Sequence, residues 1–488
     1  MFLLPDLLKS APPSKPCIID GITKSYGDLD SISSGLAARL QENGVKPGDR
    51  VVLFLPNSWQ LAATFFGVLK AGAIVTLVDF RSSPRELSFF LKDSEPSFSF
   101  IADSRKDWIP GQTNFQTIDT RSDDLSFRIQ AGATLSPSRN PDDVACLIYT
   151  GGTTGLSKGA MLTHRNFEAV LSGLFTAWDM KQDQETIGQI LPMTHSGGLN
   201  CGLNISLFAG GTTVLLRKFE PEAFCRAIDT YRVTIFAGVP SIYTALVSSV
   251  DLQRFNLDSL RVCFCSGAPL PNEIASKFRE KTGKIINVGW GLTEASPQLT
   301  VAPLGIFKPS YVGRPIAQTR VVTVDEDGNR KEANVEGELA AQGPQVMKGY
   351  WNNPEETKKV FTKESFLKTG DDGVVKSDGV YIFGRRKDQI NSGGYKIWPH
   401  EVESVLMEND AVREVAVVGV QDSLYGEVVK AFVVRKRTSL GDDELRSFCR
   451  DKLAGYKIPK YFEYVEALPK SSVGKILHRE LREKGRQP

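Results

Sequence analysis

From Arg50 onward, apolar runs of strand length alternate with longer amphipathic runs: RVVLFLP, SWQLAATFFGVLKAG, AIVTLVDF and SPRELSFFLKDS. This alternation of short apolar segments and helical periodicity predicts parallel strands joined by helices. The rhythm returns after position 214, where VLL leads through PEAFCRAIDTYR, VTIFAG, PSIYTALVSSV, RVCFCSG and NEIASKFREKTG to IINVG. Two wound α/β halves are predicted. Between about Gly305 and Gly384 the pattern changes to short alternating runs rich in Gly and Asp, as expected of a small antiparallel sheet or barrel. Residues 388–488 carry their own helices (HEVESVLMEN, DDELRSFCRDKLAG) and strands (VREVAVVGV, KAFVVRKR), enough for a small α+β domain. The expected division is a large N-terminal domain, 1–384, and a small C-terminal domain, 388–488, meeting at GRRKD.

Composition narrows the function classes. The chain has 488 residues, too many for one small module, and its 41% apolar and 24% charged content is that of a globular protein. A net charge of +2 provides no strong basic field, so a dedicated nucleic acid binder is not expected. Seven scattered cysteines include no CxxC pair, and four widely separated histidines include no HExxH, so zinc has little support. Reduced thiols and an N-terminus without a leader-like pattern fit a cytoplasmic setting, and no apolar stretch is long enough to span a bilayer. Oligomeric state depends on surface patches that a sequence does not display.

The densest chemical signal is Ile148-Tyr-Thr-Gly-Gly-Thr-Thr-Gly-Leu-Ser-Lys-Gly159, an apolar strand entering a loop of glycines and hydroxyls with one lysine. Glycine lets backbone N–H groups converge on an anion, the hydroxyls add donors and Lys158 adds charge, so the loop suits phosphate. Three rival readings fit less well. A Walker A loop needs Gly-Lys-Ser/Thr in succession, whereas Lys158 lies between Ser157 and Gly159. A nucleophile elbow needs its serine at a sharp turn after the strand, and Ser157 sits seven residues beyond Thr150. Ser472-Val-Gly-Lys475 matches SxxK without the accompanying SDN.

Taken with Gly289-Trp-Gly-Leu-Thr-Glu294, Lys368-Thr-Gly-Asp-Asp-Gly373, Gly384-Arg-Arg-Lys-Asp388 and Pro469-Lys-Ser-Ser-Val-Gly-Lys475, the loop resembles a known family over nearly the whole chain. That family is the acyl-adenylate-forming, or AMP-binding, superfamily: acyl-CoA synthetases, peptide synthetase adenylation domains and luciferases. The usual loop is YTSGTTGxPKG; here Gly151 replaces Ser and Ser157 replaces Pro.

The resemblance implies a role for each motif. Thr150, Gly151, Gly152, Thr153, Thr154, Gly155 and Lys158 would hold phosphates. Thr293 would contact the α-phosphate, Glu294 with Thr154 would hold Mg²⁺, and Trp290, between Gly289 and Gly291, would stack near adenine. Gly267, Ala268 and Pro269 would lie along the adenine. Asp371 and Arg385 would bind the ribose, Lys387 would be a hinge, and Gly393 and Gly394 would line the pantetheine tunnel. Lys475 would be the catalytic lysine, and His195, in Leu191-Pro-Met-Thr-His-Ser-Gly-Gly-Leu199, would close the carboxylate end of the acyl pocket.

The implied reaction joins a carboxylic acid to coenzyme A at the expense of ATP, through an acyl-adenylate. Loading of a carrier protein, a luciferase-like oxygenation, an α/β hydrolase using Ser157 and a non-catalytic nucleotide-binding module are the alternatives. Aryl, medium-chain, long-chain and succinylbenzoate-like acids are all open at this stage.

Overall fold

The computed structural model describes residues 2–109, 114–122, 139–150, 157–471 and 474–485. Its first sheet has six strands in the order Phe115–Ile118, Phe98–Ala102, Arg50–Phe54, Ile74–Leu77, Val144–Thr150, Lys158–Thr163. All pair in parallel except the last two, which form a hairpin with Thr150 opposite Lys158. The hairpin ends therefore bracket the glycine-rich segment.

A second sheet runs through thirteen strands. Its parallel part includes Thr186–Gln189, Ile235–Gly238, Val262–Cys265 and Ile286–Trp290, all but their edges buried. Helices cover both faces of such strands, which is why they read as unbroken apolar runs. The runs between Gly305 and Gly384 do form antiparallel strands, Tyr311–Pro315, Arg320–Val324, Gly337–Gln342, Leu367–Lys376 and Gly379–Arg385 among them. They are hydrogen-bonded onto the edge of the parallel part through Thr300–Val301. A third sheet of five strands, including Val412–Asp422 and Gly426–Arg435, belongs to the C-terminal part.

The main core lies around the helix Trp59–Lys70, buried at every position but the last. Ser58 caps it by accepting from the Leu61 N–H. It packs on Tyr26–Glu42 so closely that a Cβ on Gly67 would come within 2.6 Å of Leu36 Cβ. Among the described residues no helix is long and apolar enough to cross a membrane. All seven cysteines are unpaired and buried.

The N-terminal turn Leu4–Lys9 is pinned to this core by His164, whose Nδ1 accepts from the Leu4 N–H at 3.2 Å. Burial and the neighbouring Arg139 push the His164 pKa down to about 4. Because the folded state then binds fewer protons than the unfolded chain, His164 stabilises the fold above about pH 6.5. That contribution is lost as pH falls toward about 4, with a ceiling of about 3 kcal/mol. In His164→Gln, which keeps an acceptor but does not titrate, the melting temperature is expected to fall less steeply over this range. Identical pH slopes for both proteins would remove His164 from the account.

Candidate active site

Strand ends in open α/β sheets are where ligands bind, and the strand Ile286–Trp290 delivers the central turn of this cleft. A Cβ on Gly291 would lie 1.9 Å from the Pro297 carbonyl oxygen, so only glycine fits before the short turn Thr293–Ala295. The Glu294 carbonyl accepts from the Met347 N–H at 2.8 Å. Its Oε1 accepts from the Tyr350 hydroxyl at 2.8 Å and from the Thr150 hydroxyl at 3.4 Å. Thr293 is linked to the next loop, its Oγ1 accepting from Ser196 Oγ at 3.3 Å.

Asp371 lies on the strand Leu367–Lys376, directly across from Arg385. Only 5% exposed, it accepts from the Trp290 indole N–H at 2.7 Å and pairs with Arg385 Nε at 2.8 Å. Arg385 also donates to the Thr369 carbonyl at 3.0 Å. Burial pushes the Asp371 carboxyl up, opposed chiefly by Arg385 and then by Trp290. Trp290 itself is 6% exposed, packed among Ala295, Leu299 and Leu339. It thus serves as a buried donor to Asp371, with little of its ring face left open.

Lys475 reaches this cleft from the C-terminal part. A Cβ on Gly267, where φ is +88°, would stand 3.0 Å from Lys475 Cε and 3.6 Å from Nζ. Ala268 and Pro269 continue the same exposed turn. Lys475 keeps part of its surface exposed, yet the protein packed around it and the Arg385 guanidinium push its pKa down, while Asp371 and Glu294 raise it.

At the far end of the glycine-rich segment, Lys158 pairs with Glu356, and its ammonium sits 5.2 Å from the centre of the Tyr350 ring. Gly151, Gly152, Thr153, Thr154 and Gly155 lie outside the described residues. His195 Nε2 is 2.9 Å from Asp79 Oδ2, and His195 precedes the turn Ser196–Gly198 that contacts Thr293.

The remaining sequence candidates lie on the C-terminal side. Lys387 is in the turn Arg386–Asp388, where its carbonyl accepts from Arg482 at 2.9 Å and its side chain is exposed. Gly393 and Gly394, at φ +58° and +89°, form the tight turn between Ile390–Ser392 and Tyr395–Ile397. Sequence reasoning missed Tyr350, Glu356 and Asp79. Asp79 could have been suspected from its place just beyond the carboxyl end of the strand Ile74–Leu77.

The donor set also tests whether a divalent cation fits. Among the described residues no group of three or more His, Cys, Asp or Glu could cage a metal. One carboxylate with an adjacent hydroxyl, Glu294 with Thr150, instead suits Mg²⁺, which keeps waters and takes most of its ligands from nucleotide phosphates.

Comparison with known proteins agrees with this layout. The family model for the AMP-binding enzyme matches residues 9–351, and that for the AMP-binding enzyme C-terminal domain matches 401–475. A long-chain-fatty-acid–CoA ligase of Bacillus subtilis (strain 168) is 37% identical, over 99% of this chain and 93% of that protein. A feruloyl-CoA synthase of Amycolatopsis is 35% identical, over 95% of this chain and 94% of its own length. Among solved structures, ATP-bound MatB from Rhodopseudomonas palustris has a TM-score of 0.92 at 31% identity, covering 99% of each chain. Its apo form, with the same coverage and identity, scores 0.81, so this chain is closer in shape to the nucleotide-bound form. With family models over both its parts and a relative of this identity along its full length, the chain belongs to the AMP-binding enzyme family.

Proposed function

We propose that this enzyme activates a long-chain fatty acid, with Glu294, Asp371 and Lys475 gathered on one MgATP. The reaction is ATP-dependent ligation of a carboxylic acid to coenzyme A through an acyl-adenylate. In the first step a carboxylate oxygen bonds to the α-phosphorus, and pyrophosphate leaves with the electron pair of the broken P–O bond. In the second, the coenzyme A sulfur bonds to the acyl carbon, AMP departs and the thiol proton is lost.

In this reading Lys475 offsets the negative charge that builds as carboxylate meets phosphate, where a fixed ammonium is most effective. Asp371, oriented by Trp290 and Arg385, accepts from the ribose hydroxyls. Thr293 donates to the α-phosphate, Lys158 and the glycine-rich segment hold the outer phosphates, and Gly267 to Pro269 border the adenine. Glu294 with the hydroxyls of Thr150 and Thr154 would hold Mg²⁺, which when bound draws charge from the phosphate oxygens.

His195, held by Asp79, closes the carboxylate end of the acyl site. The small domain, from 388, turns about Lys387 between steps, withdrawing Lys475 and bringing the Gly393 and Gly394 turn toward the thiol. The seven unpaired cysteines favour a cytoplasmic setting.

The reading is supported chiefly by Trp290, four residues before Glu294, donating to Asp371, and by Lys475 lying against Gly267 within the field of both carboxylates. The long-chain assignment draws on the Bacillus subtilis relative. It also draws on Gly197, beside His195, where an added Cβ would meet nothing within 4 Å. In ATP–pyrophosphate exchange across acids of graded length, exchange is expected to be greatest with long chains. Gly197→Leu should move that preference toward shorter acids. A preference for ferulate or benzoate would replace the assignment with an aryl one.

A further inference from the structure

Tyr350 belongs to no motif that the sequence singled out, yet it touches both ends of the phosphate site. It is 7% exposed, and its hydroxyl donates to Glu294 Oε1 at 2.8 Å, the oxygen that Thr150 also engages. The Lys158 ammonium lies 5.2 Å from the centre of its ring. Its backbone forms a bridge with Ala160, and its N–H donates to Thr357 Oγ1 at 2.8 Å. The short helix Pro354–Val360 that follows supplies Glu356, the partner of Lys158.

A carboxylate with one oxygen engaged by two hydroxyls has its rotamer settled before ligand arrives, and a cation resting over a buried ring is likewise restrained. We propose that Tyr350 is a positioning residue for the MgATP-dependent step: one side chain fixes the Glu294 carboxylate and underlies Lys158, setting their separation. The inference rests on the reading of Glu294 as the carboxylate that meets Mg²⁺.

The test is calorimetric titration of the full chain, wild type and Tyr350→Phe, with MgATP and separately with AMP in the presence of EDTA. Loss of one hydrogen bond to a charged group should weaken MgATP binding about 10-fold or more, while AMP affinity stays within about twofold. The Mg²⁺ concentration for half-maximal pyrophosphate exchange should rise in parallel. Tyr350→Leu, which also removes the ring beneath Lys158, should lose more. Equal weakening of MgATP and AMP would indicate a merely structural role and overturn the inference, as would unchanged MgATP binding in Tyr350→Phe. A wild-type chain that binds neither nucleotide would instead overturn the nucleotide-site reading, and this inference with it.

Discussion

Lys475→Ala is expected to lower acyl-adenylate formation by at least 10²-fold to 10³-fold, about 3 to 4 kcal/mol of transition-state stabilisation. It should leave the second half-reaction largely intact when a preformed acyl-adenylate and coenzyme A are supplied. The asymmetry follows from place: Lys475 lies against Gly267 and within the field of Asp371 and Glu294, and it approaches from the C-terminal part rather than from the sheet that forms the cleft. Its chemistry also predicts a pH dependence. Since its pKa lies below the usual lysine value of about 10.4, adenylation should fall as pH rises through that lowered value, because the deprotonated amine no longer offsets phosphate charge. In Lys475→Arg, whatever activity survives should lack that alkaline limb. Equal loss of both half-reactions in Lys475→Ala would contradict the division of labour.

Asp371→Ala should be nearly as damaging, for a different reason. Its carboxylate is almost wholly buried between the Trp290 indole and the Arg385 guanidinium, so removing it leaves two donors without their acceptor. If, as proposed, the carboxylate accepts from two ribose hydroxyls, loss of those charge-assisted bonds should weaken ATP and AMP about 10²-fold or more, at about 1.5 to 3 kcal/mol each. A structural defect alone could also weaken binding, so the decisive readout is discrimination. Wild type should prefer ATP over 2′-deoxy-ATP, and Asp371→Ala should bind both alike. A variant that still discriminates would place the ribose elsewhere.

The strands at 50–54, 74–77, 235–238, 262–265 and 286–290 were legible in the sequence because both of their faces are covered, which leaves continuous apolar runs. The pairing of Pro16–Asp20 with Thr212–Leu215 was not legible, since nothing local records a partner almost two hundred positions away. Nor was the buried π-helix Leu199–Asn204, whose extra residue per turn has no compositional mark. The motifs at 289–294, 368–373 and 469–475 could be named from their residue types and order. The manner of their meeting could not. That Trp290 turns its N–H to Asp371, that Lys158 pairs with Glu356, and that Tyr350 joins Glu294 are all contacts between distant segments.

The most direct measurement is a crystal structure of the chain with a non-hydrolysable acyl-adenylate analogue. The account predicts ribose hydroxyls on Asp371, the α-phosphate mimic between Thr293 and Lys475, adenine along Gly267 to Pro269, and the acyl chain running past His195. An analogue bound away from Asp371 and Thr293 would contradict it.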